Sequence, residues 1–474
     1  MTKKLRIIIW VFVAAVWALF FIKAGIAVDT DFGWHVKTGE IILNAGIPRL
    51  DPFSYTMPSY LFVDHEWLTD IMIAKIFPII GFWGLGLIFT GLAVLSILLL
   101  LDISSIKILG LPILIASPVL LYSGGTRPQV ITWFFLSLLF WVIFKSKKRE
   151  KLKYGLPLIF LLWANLHGGF IIGLAVLGIV IIGQTIENRA LSISDLLVFL
   201  SSILITIFNP YGLGLWKEIF ISLRDPYLRQ VINEWTTPFL RFDPAFVSLL
   251  ALAGFLVFKF WKKLNLAELI LFIFFTLSAI SSTRNVPLWI LTVLLLLPKL
   301  IVASSQTVPN TEATTKVFHK LYAGAAAFTF VVVFVSLSWS VPEIFGFTLK
   351  NYYPARAVEY INTHSLHQQI FAPYTWGGYL IWRLTTSKVF IDGRMPSWRL
   401  ANPSSNESGW AMKEYEDLLA GKIEFEKITE KYGINTVLWP ARLPKQILAK
   451  LDPKTWTRVY QDQISVIYTR NMVK

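Results

Sequence analysis

Carboxylates in pairs stand at two points of a chain that is otherwise strongly apolar. Asp29 and Asp31 follow the first apolar stretch, and Asp64-His65-Glu66 precedes the second. Paired carboxylates are suited to accept a proton as general bases or to bind a divalent cation. Asp64 alone would also suit the capped start of a helix. Both a site and a helix cap therefore stay open for this second group.

Isolated basic and polar residues interrupt later apolar stretches. Arg127 stands in a turn with glycines and a proline, and Arg284 precedes Asn285. One interpretation is that each guanidinium donates to two oxygens of a phosphate. The other is that each arginine ends a membrane helix and extends its side chain to the lipid headgroups. Asn165 and His167 flank a glycine-containing break, which indicates either backbone lining a cavity or a short re-entrant turn. These alternatives are equally open from the residues.

The amino-acid composition indicates the fold class of the chain that positions these residues. Of 474 residues, 55% are hydrophobic and 15% are charged, and the mean hydropathy is +0.60. An ordinary soluble domain has roughly 25% charged residues. The fold class is therefore predicted to be an α-helical polytopic membrane protein. The chain has no cysteine, which excludes disulfides and thiolate metal sites.

Apolar runs bounded by charges, glycines or prolines predict about 11 membrane spans, several shorter than the ~20 residues that cross a bilayer. They cover residues 5–27, 81–101, 106–122, 129–144, 154–166, 170–184, 193–208, 245–260, 266–282, 286–303 and 321–341. The first run is interpreted as an uncleaved span rather than a signal peptide, because it is too long for a usual signal core.

Lysine and arginine predict the orientation of these spans. Residues 145–153 include six basic residues, and further basic residues stand at 3–6 and 259–263. With alternating spans all three segments fall on one side, which the positive-inside rule assigns to the cytoplasm. The N-terminus is then cytoplasmic and the C-terminus extracytoplasmic. Much of the net charge of +15 is explained in this way, and nothing indicates nucleic acid.

The pattern predicts two domains. Residues 1–341 form a multi-span membrane domain, which includes a first extracytoplasmic loop at 28–80 with interfacial helices. Residues 342–474 form a soluble extracytoplasmic α/β domain. Helices are expected from 354 to 363 and within 411–432. Strands are expected at 369–372, 388–392, 435–439 and 459–469.

With this topology the polar candidates all fall at the outer face. They are Asp29, Asp31, His35, Asp64, His65, Glu66, Arg127, Asn165, His167, Glu234, Arg284 and Asn285. Ionisable groups at membrane depth are functional by default. Acid–base carboxylates, phosphate-binding arginines and an apolar groove together favour a lipid-phosphate-linked substrate. We therefore expect one outward-facing polar cavity beneath the first loop.

The run Asp29-Thr30-Asp31, which opens a long outer loop, is followed by an amphipathic stretch at 34–44. This arrangement resembles the GT-C glycosyltransferase superfamily, which includes protein mannosyltransferases and oligosaccharyltransferase catalytic subunits. The resemblance implies that a loop acid acts as base on the acceptor and that a polyprenyl-phosphate sugar is the donor. Thr375-Trp376-Gly377-Gly378-Tyr379 departs from the WWDYG pattern of oligosaccharyltransferases because it lacks the acid, which puts peptide recognition of that kind in doubt.

The chain is also similar to bacterial multi-span proteins of this superfamily type that have no assigned substrate. The shared runs are Trp34-His35, Asp51-Pro52-Phe53-Ser54-Tyr55-Thr56, His65-Glu66-Trp67-Leu68, Trp376-Gly377-Gly378-Tyr379 and Phe390-Ile391-Asp392-Gly393-Arg394. Asp51-Pro52 favours a structural turn. Asp392 and Arg394 are expected either to touch the acceptor or to form a salt bridge.

We therefore expect an inverting membrane glycosyltransferase that moves a sugar from a polyprenyl-phosphate donor to a lipid, glycan or protein acceptor. The reaction is expected at the outer face of the bacterial cytoplasmic (inner) membrane. Asp31, or Asp29 in its place, is the expected base. The residues expected to bind substrate or its phosphate are His35, His65, Glu66, Arg127, Asn165, His167 and Arg284.

Two points stay open at this stage. A divalent cation, Mg²⁺ or Mn²⁺, is an alternative for Asp29 and Asp31, although acid pairs at this spacing are frequent without a metal. A membrane protein that binds or transports polyprenyl-linked glycans without catalysis is an alternative function. So is an O-antigen ligase or polymerase, whose site would lie in the loop at 209–244, with Glu234 and Arg241.

Overall fold

The computed structural model describes residues 3–101, 108–240, 242–306, 312–366, 369–384, 386–442 and 447–471, with backbone alone at 305–306 and 312–319. Contacts divide the chain into two compact units. The helical unit comprises Met1–Gly25, Phe82–Leu215 and Ile232–Ile344. The mixed unit comprises Ile26–Gly81, Trp216–Val231 and Phe345–Lys474. The first loop thus groups with the last segment, and the domain boundaries expected from the sequence stay a prediction.

The predicted apolar runs and the predicted helices of the last segment coincide with described helices, and further helices lie outside them, among them the helix Leu213–Arg224. In chain order they are α1 (Lys3–Ile26), α2 (Phe32–Ala45), α3 (Trp67–Leu98), α4 (Gly110–Ser123), α5 (Gln129–Phe140), α6 (Arg149–Leu152), α7 (Leu156–Leu166), α8 (Phe170–Asn188), α9 (Ile193–Ile205), α10 (Leu213–Arg224), α11 (Leu228–Val231), α12 (Pro244–Phe260), α13 (Leu266–Ser281), α14 (Val286–Gln306), α15 (Glu312–Gly346), α16 (Ala355–Thr363), α17 (Gly377–Arg383), α18 (Ala411–Leu419) and α19 (Phe425–Tyr432).

Long apolar helices form the helical unit. Within the described residues, six helices are long and apolar enough to cross a membrane, and shorter apolar helices accompany them. Large apolar side chains on these helices stay exposed, among them Leu87 at 65%, Phe258 at 84% and Phe334 at 75%. Contact between water and so much exposed apolar surface is unfavourable, whereas contact between that surface and lipid is not. The protein is therefore an integral membrane protein, and the number of spans stays a prediction.

Helix α3 changes direction at a single glycine. Gly81 has φ +62° and ψ −167°, so it interrupts the helix between two helical stretches. A residue with a Cβ rarely adopts this conformation. The break coincides with the boundary between the two units and with the predicted start of the second span. The stretch before it belongs to the mixed unit and carries Asp70.

A four-stranded sheet lies in the mixed unit, in the order β1 (Ile370–Phe371), β2 (Thr436–Pro440), β4 (Ser465–Arg470) and β3 (Trp456–Gln461). Strands β1 and β2 are parallel, and the other two pairs are antiparallel. The strands expected near 369–372, 435–439 and 459–469 are confirmed. The strand expected at 388–392 is reduced to single bridges at Val389, because the chain pairs there for one residue.

The first loop is built into this domain. Val389 bridges Ser54, with hydrogen bonds from the Tyr55 N–H to the Val389 carbonyl (3.1 Å) and from the Val389 N–H to the Phe53 carbonyl (3.0 Å). The Thr56 hydroxyl donates to the Phe390 carbonyl at 2.6 Å. Backbone pairing between residues more than 300 positions apart fixes the loop on the sheet.

Aromatic packing completes the core of the mixed unit. The rings of Phe371 and Trp439 stack at 5.7 Å, and Phe390 meets Phe371 edge-on at 5.2 Å. Tyr55 and Phe62 of the first loop belong to the same buried cluster. Truncating such a ring to alanine destabilises a fold by about 3–5 kcal/mol. The loop and the last segment therefore share one hydrophobic core.

Candidate functional site

Asp29 and Asp31 stand where the chain enters helix α2, and both are partly exposed. Asp29 Oδ1 accepts the backbone N–H of Asp31 at 2.9 Å, which forms a tight turn. Asp31 occupies the N-cap position of α2, but its side chain makes no capping hydrogen bond. The Asp31 carboxylate is therefore not used by the helix start, where an aspartate ordinarily serves as a cap.

Gly393, in the run Asp392-Gly393-Arg394, lies against the Asp31 carboxylate. A Cβ on residue 393 would approach Asp31 Oδ1 to 1.9 Å, closer than any real contact. The absence of a side chain at 393 is what leaves room for the acid. Asp31 is thus positioned by residues from the far end of the chain.

Two further glycines bring helix α2 against helix α17. A Cβ on Gly33 would lie 1.9 Å from the carbonyl oxygen of Gly378, and one on Gly378 would lie 2.2 Å from the carbonyl of Thr30. Such contacts require backbone against backbone. The Trp376-Gly377-Gly378-Tyr379 run therefore packs against the residues that carry the acids.

Arg394 is the centre of a buried ion cluster. Its guanidinium contacts Asp51 at 2.8 Å and Asp392 at 2.7 Å. The rings of Phe53 and Phe62 lie 4.8 Å and 5.0 Å from it. Of the two roles expected for Asp392 and Arg394, the salt bridge is confirmed. Asp51 also accepts backbone N–H groups of its own turn, so the structural interpretation of that segment is confirmed.

A second polar cluster joins α2 to the start of α3. His35 Nδ1 lies 2.7 Å from Asp70 Oδ1, and His35 Nε2 lies 3.4 Å from Glu66 Oε2. His65 Nε2 lies 3.4 Å from the other Glu66 oxygen. His35, Glu66 and Asp70 each offer a donor atom within 4.8 Å of the others, as a metal site requires.

Asp64 contributes another carboxylate to this cluster. Its Oδ1 accepts the Glu66 N–H at 2.9 Å, which forms a turn before α3 and not a cap on it, because α3 begins only at Trp67. Burial raises the pKa of Asp64 well above its ordinary value, and the negative charge of Asp70 raises it further. The carboxylates around His35 and His65 make the binding of a phosphate at this cluster unfavourable, because like charges repel.

Cationic side chains gather in the helical unit. Arg127 forms an ion pair with Glu234, and the Arg284 guanidinium lies 5.5 Å from the Trp235 ring beside it. Lys23 of α1 donates to two backbone carbonyls in the last turn of α4, those of Leu121 and Tyr122, at 2.8 and 2.7 Å. Arg127 and Arg284 both act on Glu234 within this unit, and their role in binding a phosphate stays a prediction.

The electrostatics of Glu234 reflect this surplus of positive charge. Burial would raise the pKa of Glu234, but the charges of Arg127 and Arg284, and more weakly of Lys23, lower it below its ordinary value. Three cations surround one carboxylate. Positively charged groups suit a phosphate, and arginine does so in particular because its planar guanidinium can donate to two phosphate oxygens at once.

His167 and Asn165 are held at the break between α7 and α8. The Trp163 indole N–H donates to Thr132 Oγ1 at 3.1 Å, and Thr132 Oγ1 lies 2.7 Å from His167 Nδ1. Gly169 N–H donates to Nδ1. The neutral imidazole then carries its proton on Nε2 and is a donor there. Asn165 donates to the carbonyls of Leu161 and Phe208, which is a structural role.

The candidate residues thus form two groups. The mixed unit brings together Asp29, Asp31, His35, His65 and Glu66, and the helical unit holds Arg127, Asn165, His167 and Arg284. A single polar cavity shared by all of them stays a prediction.

Sequence reasoning missed Lys23, Asp70 and the role of Gly393. The spacing Glu66-x-x-x-Asp70 is one helical turn and was the available signal for Asp70.

Comparisons with known proteins agree with this fold. No family model and no curated protein matches the chain. The structure is similar to that of the oligosaccharyltransferase AglB from Archaeoglobus fulgidus, solved with an inhibitory peptide and a dolichol-phosphate. The TM-score is 0.60 at 11% identity, over 91% of this chain and 69% of that chain.

A second likeness extends over nearly the full length of both proteins. ArnT from Cupriavidus metallidurans, bound to undecaprenyl phosphate, has a TM-score of 0.53 at 13% identity, over 98% of each chain. The apo form of ArnT gives 0.52 at 14% identity. The chain therefore shares the fold of AglB and ArnT, two proteins of the kind that the sequence resemblance indicated. At such low identity the reaction has to be argued from the residues.

Proposed function

We propose that the protein is a membrane glycosyltransferase that transfers a sugar from a polyprenyl-phosphate donor to an acceptor. The observation that carries the proposal is Asp31, a partly exposed carboxylate that does not cap its helix and is given room by Gly393. A carboxylate placed in this way is suited to general-base work. The GT-C fold supports the same reaction class, since two solved relatives of that fold hold polyprenyl phosphates.

The phosphate of the donor is proposed to bind the cations of the helical unit. Arg127 and Arg284 would contact its oxygens, and Lys23 would add long-range attraction. His167, a donor at Nε2, is a further candidate for this role. Stabilising charge on the leaving phosphate is the usual way to favour its departure.

In the proposed step Asp31 accepts the proton of the acceptor nucleophile. The nucleophile forms a bond to the anomeric carbon while the bond from that carbon to the phosphate oxygen breaks. The electron pair of the broken bond stays on the polyprenyl phosphate. Attack opposite to the leaving group inverts the anomeric configuration, which agrees with the expected inverting reaction.

The proposal includes the topology inferred from the basic segments. The N-terminus would be cytoplasmic, and the mixed unit would lie outside a bacterial cytoplasmic membrane. Membrane lipids and a polyprenyl-linked sugar would be the partners, with the acceptor open among lipid, glycan and protein. Mg²⁺ or Mn²⁺ at Asp29 and Asp31 stays a prediction.

One observation favours the second candidate function, an O-antigen ligase or polymerase. The ion pair of Glu234 with Arg127 joins the last part of the long loop at 209–244, which belongs to the helical unit, to the cationic group of that unit. Arg241 of that loop lies outside the described residues. In this alternative Glu234, rather than Asp31, would be required for the reaction.

Mass spectrometry of envelope glycans and polyprenyl-linked lipids from a deletion strain tests the proposal. Loss of one glycosylated product and accumulation of a polyprenyl-phosphate sugar are expected. Wild-type protein should restore the product, and an Asp29→Asn/Asp31→Asn double variant should not. Restoration by the double variant, with failure of Glu234→Ala, would favour the ligase alternative. An unchanged profile in the deletion strain would contradict both enzymes and leave the non-catalytic binding protein.

A further inference from the structure

Arg394 determines the shape of the turn that faces Asp31. Its backbone N–H and its Nε both donate to Asp392 Oδ1, at 3.0 and 2.8 Å, and its Nη2 donates to Asp392 Oδ2 at 2.7 Å. The residue between them is Gly393, which lies against the Asp31 carboxylate. Charge-assisted hydrogen bonds to one carboxylate, from backbone and side chain together, therefore close the turn around Gly393.

Asp51 ties the same guanidinium to the first loop. Arg394 Nη2 donates to Asp51 Oδ1 at 2.8 Å. The Asp51 carboxylate also accepts the N–H groups of Phe53 and Ser54, at 3.2 and 2.9 Å. A guanidinium presents its donors in a rigid planar fork, so it binds two carboxylates in fixed directions. The turn and the loop that carries Asp31 therefore share one anchor.

Two glycines of helix α17 fix the turn from another direction. A Cβ on Gly377 would lie 2.8 Å from the Asp392 Cα, and one on Gly378 would meet the carbonyl oxygen of Thr30. Side chains are excluded at both positions, because real Cβ atoms keep at least 3.0 Å from their neighbours. Both contacted residues stand one position before a member of the contact between the acid and the turn. Backbone packing on α17 therefore sets the separation of the two segments.

We propose that Arg394 is a positioning residue for sugar transfer, which holds the Asp31 carboxylate in the orientation needed to accept a proton. This role rests on the proposed function, in which Asp31 is the base. The Arg394 side chain is 3% exposed and both of its carboxylate partners are buried, so it acts through Gly393 and not on the acceptor. Catalytic groups have to be held within about 0.5 Å of the productive position, and the residues behind them supply that precision.

Substitution of Arg394 by lysine is the principal test. Arg394→Lys keeps the positive charge and loses the planar fork, so the turn is free to shift. A displacement of about 1 Å at Asp31 should lower the transfer rate by about 100-fold. The rate is measured per folded chain, as the return of the envelope product missing from the deletion strain after induced expression of each variant. Binding of undecaprenyl phosphate per folded chain should stay unchanged, whereas a general loss of structure would lower both.

A double variant shows whether Arg394 acts through the turn. Gly393→Ala displaces the same carboxylate directly, so Arg394→Lys should add little to it, and the double variant should stay about 100-fold below the wild type. Independent effects would multiply to about 10⁴-fold and would overturn the positioning role. Arg399→Lys is the matched control, because Arg399 also pairs with an aspartate, Asp225 at 3.1 Å, but its side chain is 36% exposed. This control should transfer sugar at the wild-type rate.

The outcomes separate this positioning role from the proposed function. If Asp31→Asn keeps the wild-type rate, the proposed function fails and the positioning role fails with it. If Asp31→Asn loses the rate while Arg394→Lys keeps it, the positioning role alone is wrong. Should Arg394→Lys not fold, Asp51→Asn replaces it, because it removes one charge and keeps the shape of the side chain. Its rate should fall by about 10-fold, again without adding to Gly393→Ala, and an unchanged rate would overturn the role.

Discussion

The polar groups of the two units have opposite charge. In the helical unit Lys23, Arg127 and Arg284 act on the single carboxylate of Glu234. In the mixed unit, carboxylates outnumber the basic groups around His35. A phosphate is attracted to the first environment and repelled by the second, whereas a proton or a metal cation behaves in the opposite way. The proposed function accordingly assigns the lipid phosphate to the first environment and the acid–base chemistry to the second.

Substitution of the proposed base tests this division most strongly. Asp31→Asn removes the proton acceptor with little change in shape, so the transfer rate should fall by about 10²–10⁴-fold. Polyprenyl-phosphate affinity should stay nearly unchanged, because the phosphate is proposed to bind elsewhere. Rates with a labelled donor and equilibrium binding of undecaprenyl phosphate measure the two effects.

Asp29→Asn is the matched control for this variant. An asparagine at 29 keeps an oxygen that can accept the Asp31 N–H, so its effect should be much smaller. If Asp29→Asn is the more damaging of the two, the base has been assigned to the wrong acid.

Adding a methyl group at residue 393 tests the position of the Asp31 carboxylate without altering any charge. In Gly393→Ala the new Cβ would displace the Asp31 carboxylate, and displacement of about 1 Å can lower a rate by about 100-fold. The thermal midpoint should fall little, since Asp31 is partly exposed and can turn away. Stopped assays of initial rate alongside thermal unfolding measure both.

Gly409→Ala provides the comparison within the same unit. A Cβ there would lie 3.4 Å from its nearest neighbour, an ordinary contact. Equal loss of rate in both glycine variants would argue against a special role for residue 393.

Loss of a guanidinium in the helical unit should affect binding rather than rate. Arg127→Gln should weaken undecaprenyl-phosphate binding by about 10–100-fold, as expected for a charge-assisted hydrogen bond. Arg127→Lys should recover part of the affinity, because it keeps the charge but not the fork. Arg189→Gln, at an exposed position of this unit, should bind like the wild type. Unchanged binding by Arg127→Gln would remove the proposed phosphate role.

The smallest expected effect is a pH dependence of stability at Glu234. Its folded pKa is lowered from the ordinary value of 4.5, so the ion pair stabilises the fold above that value. The stabilisation is lost as the pH falls through the lower folded pKa. The difference in thermal midpoint between wild type and Glu234→Gln should be constant near neutrality and shrink below about pH 4.5. A difference that instead grows in acid would contradict the charge environment.

Much of the helical architecture could be predicted from apolar runs, because a membrane helix must be apolar along its whole length. The predicted runs coincide with helices, and the amphipathic stretch at 34–44 is α2. The strand expected at 388–392 was wrong in extent, because Val389 alone pairs there, with Ile370 on one side and with Ser54, more than 300 residues away, on the other. Local pattern contains no signal for such a pairing.

The sequence predicted which residue types form the candidate site, but it predicted less well which of these residues lie next to one another. Asp31, Arg127 and Arg284 were singled out because charge is rare in an apolar chain. Their neighbours were not: Gly393 beside Asp31, and Lys23 near Glu234, depend on contacts between distant segments.

By itself the sequence determined that the chain enters a membrane, where its helices lie, and which side chains are chemically competent. These follow from hydrophobicity and charge, which are local properties of residues. Tertiary structure alone decided that Glu234 meets Arg127, that the first loop shares a core with the last segment, and that Asp31 rests on Gly393. Long-range packing selects one arrangement among many that satisfy the same local pattern, because close contact depends on the shapes of both partners.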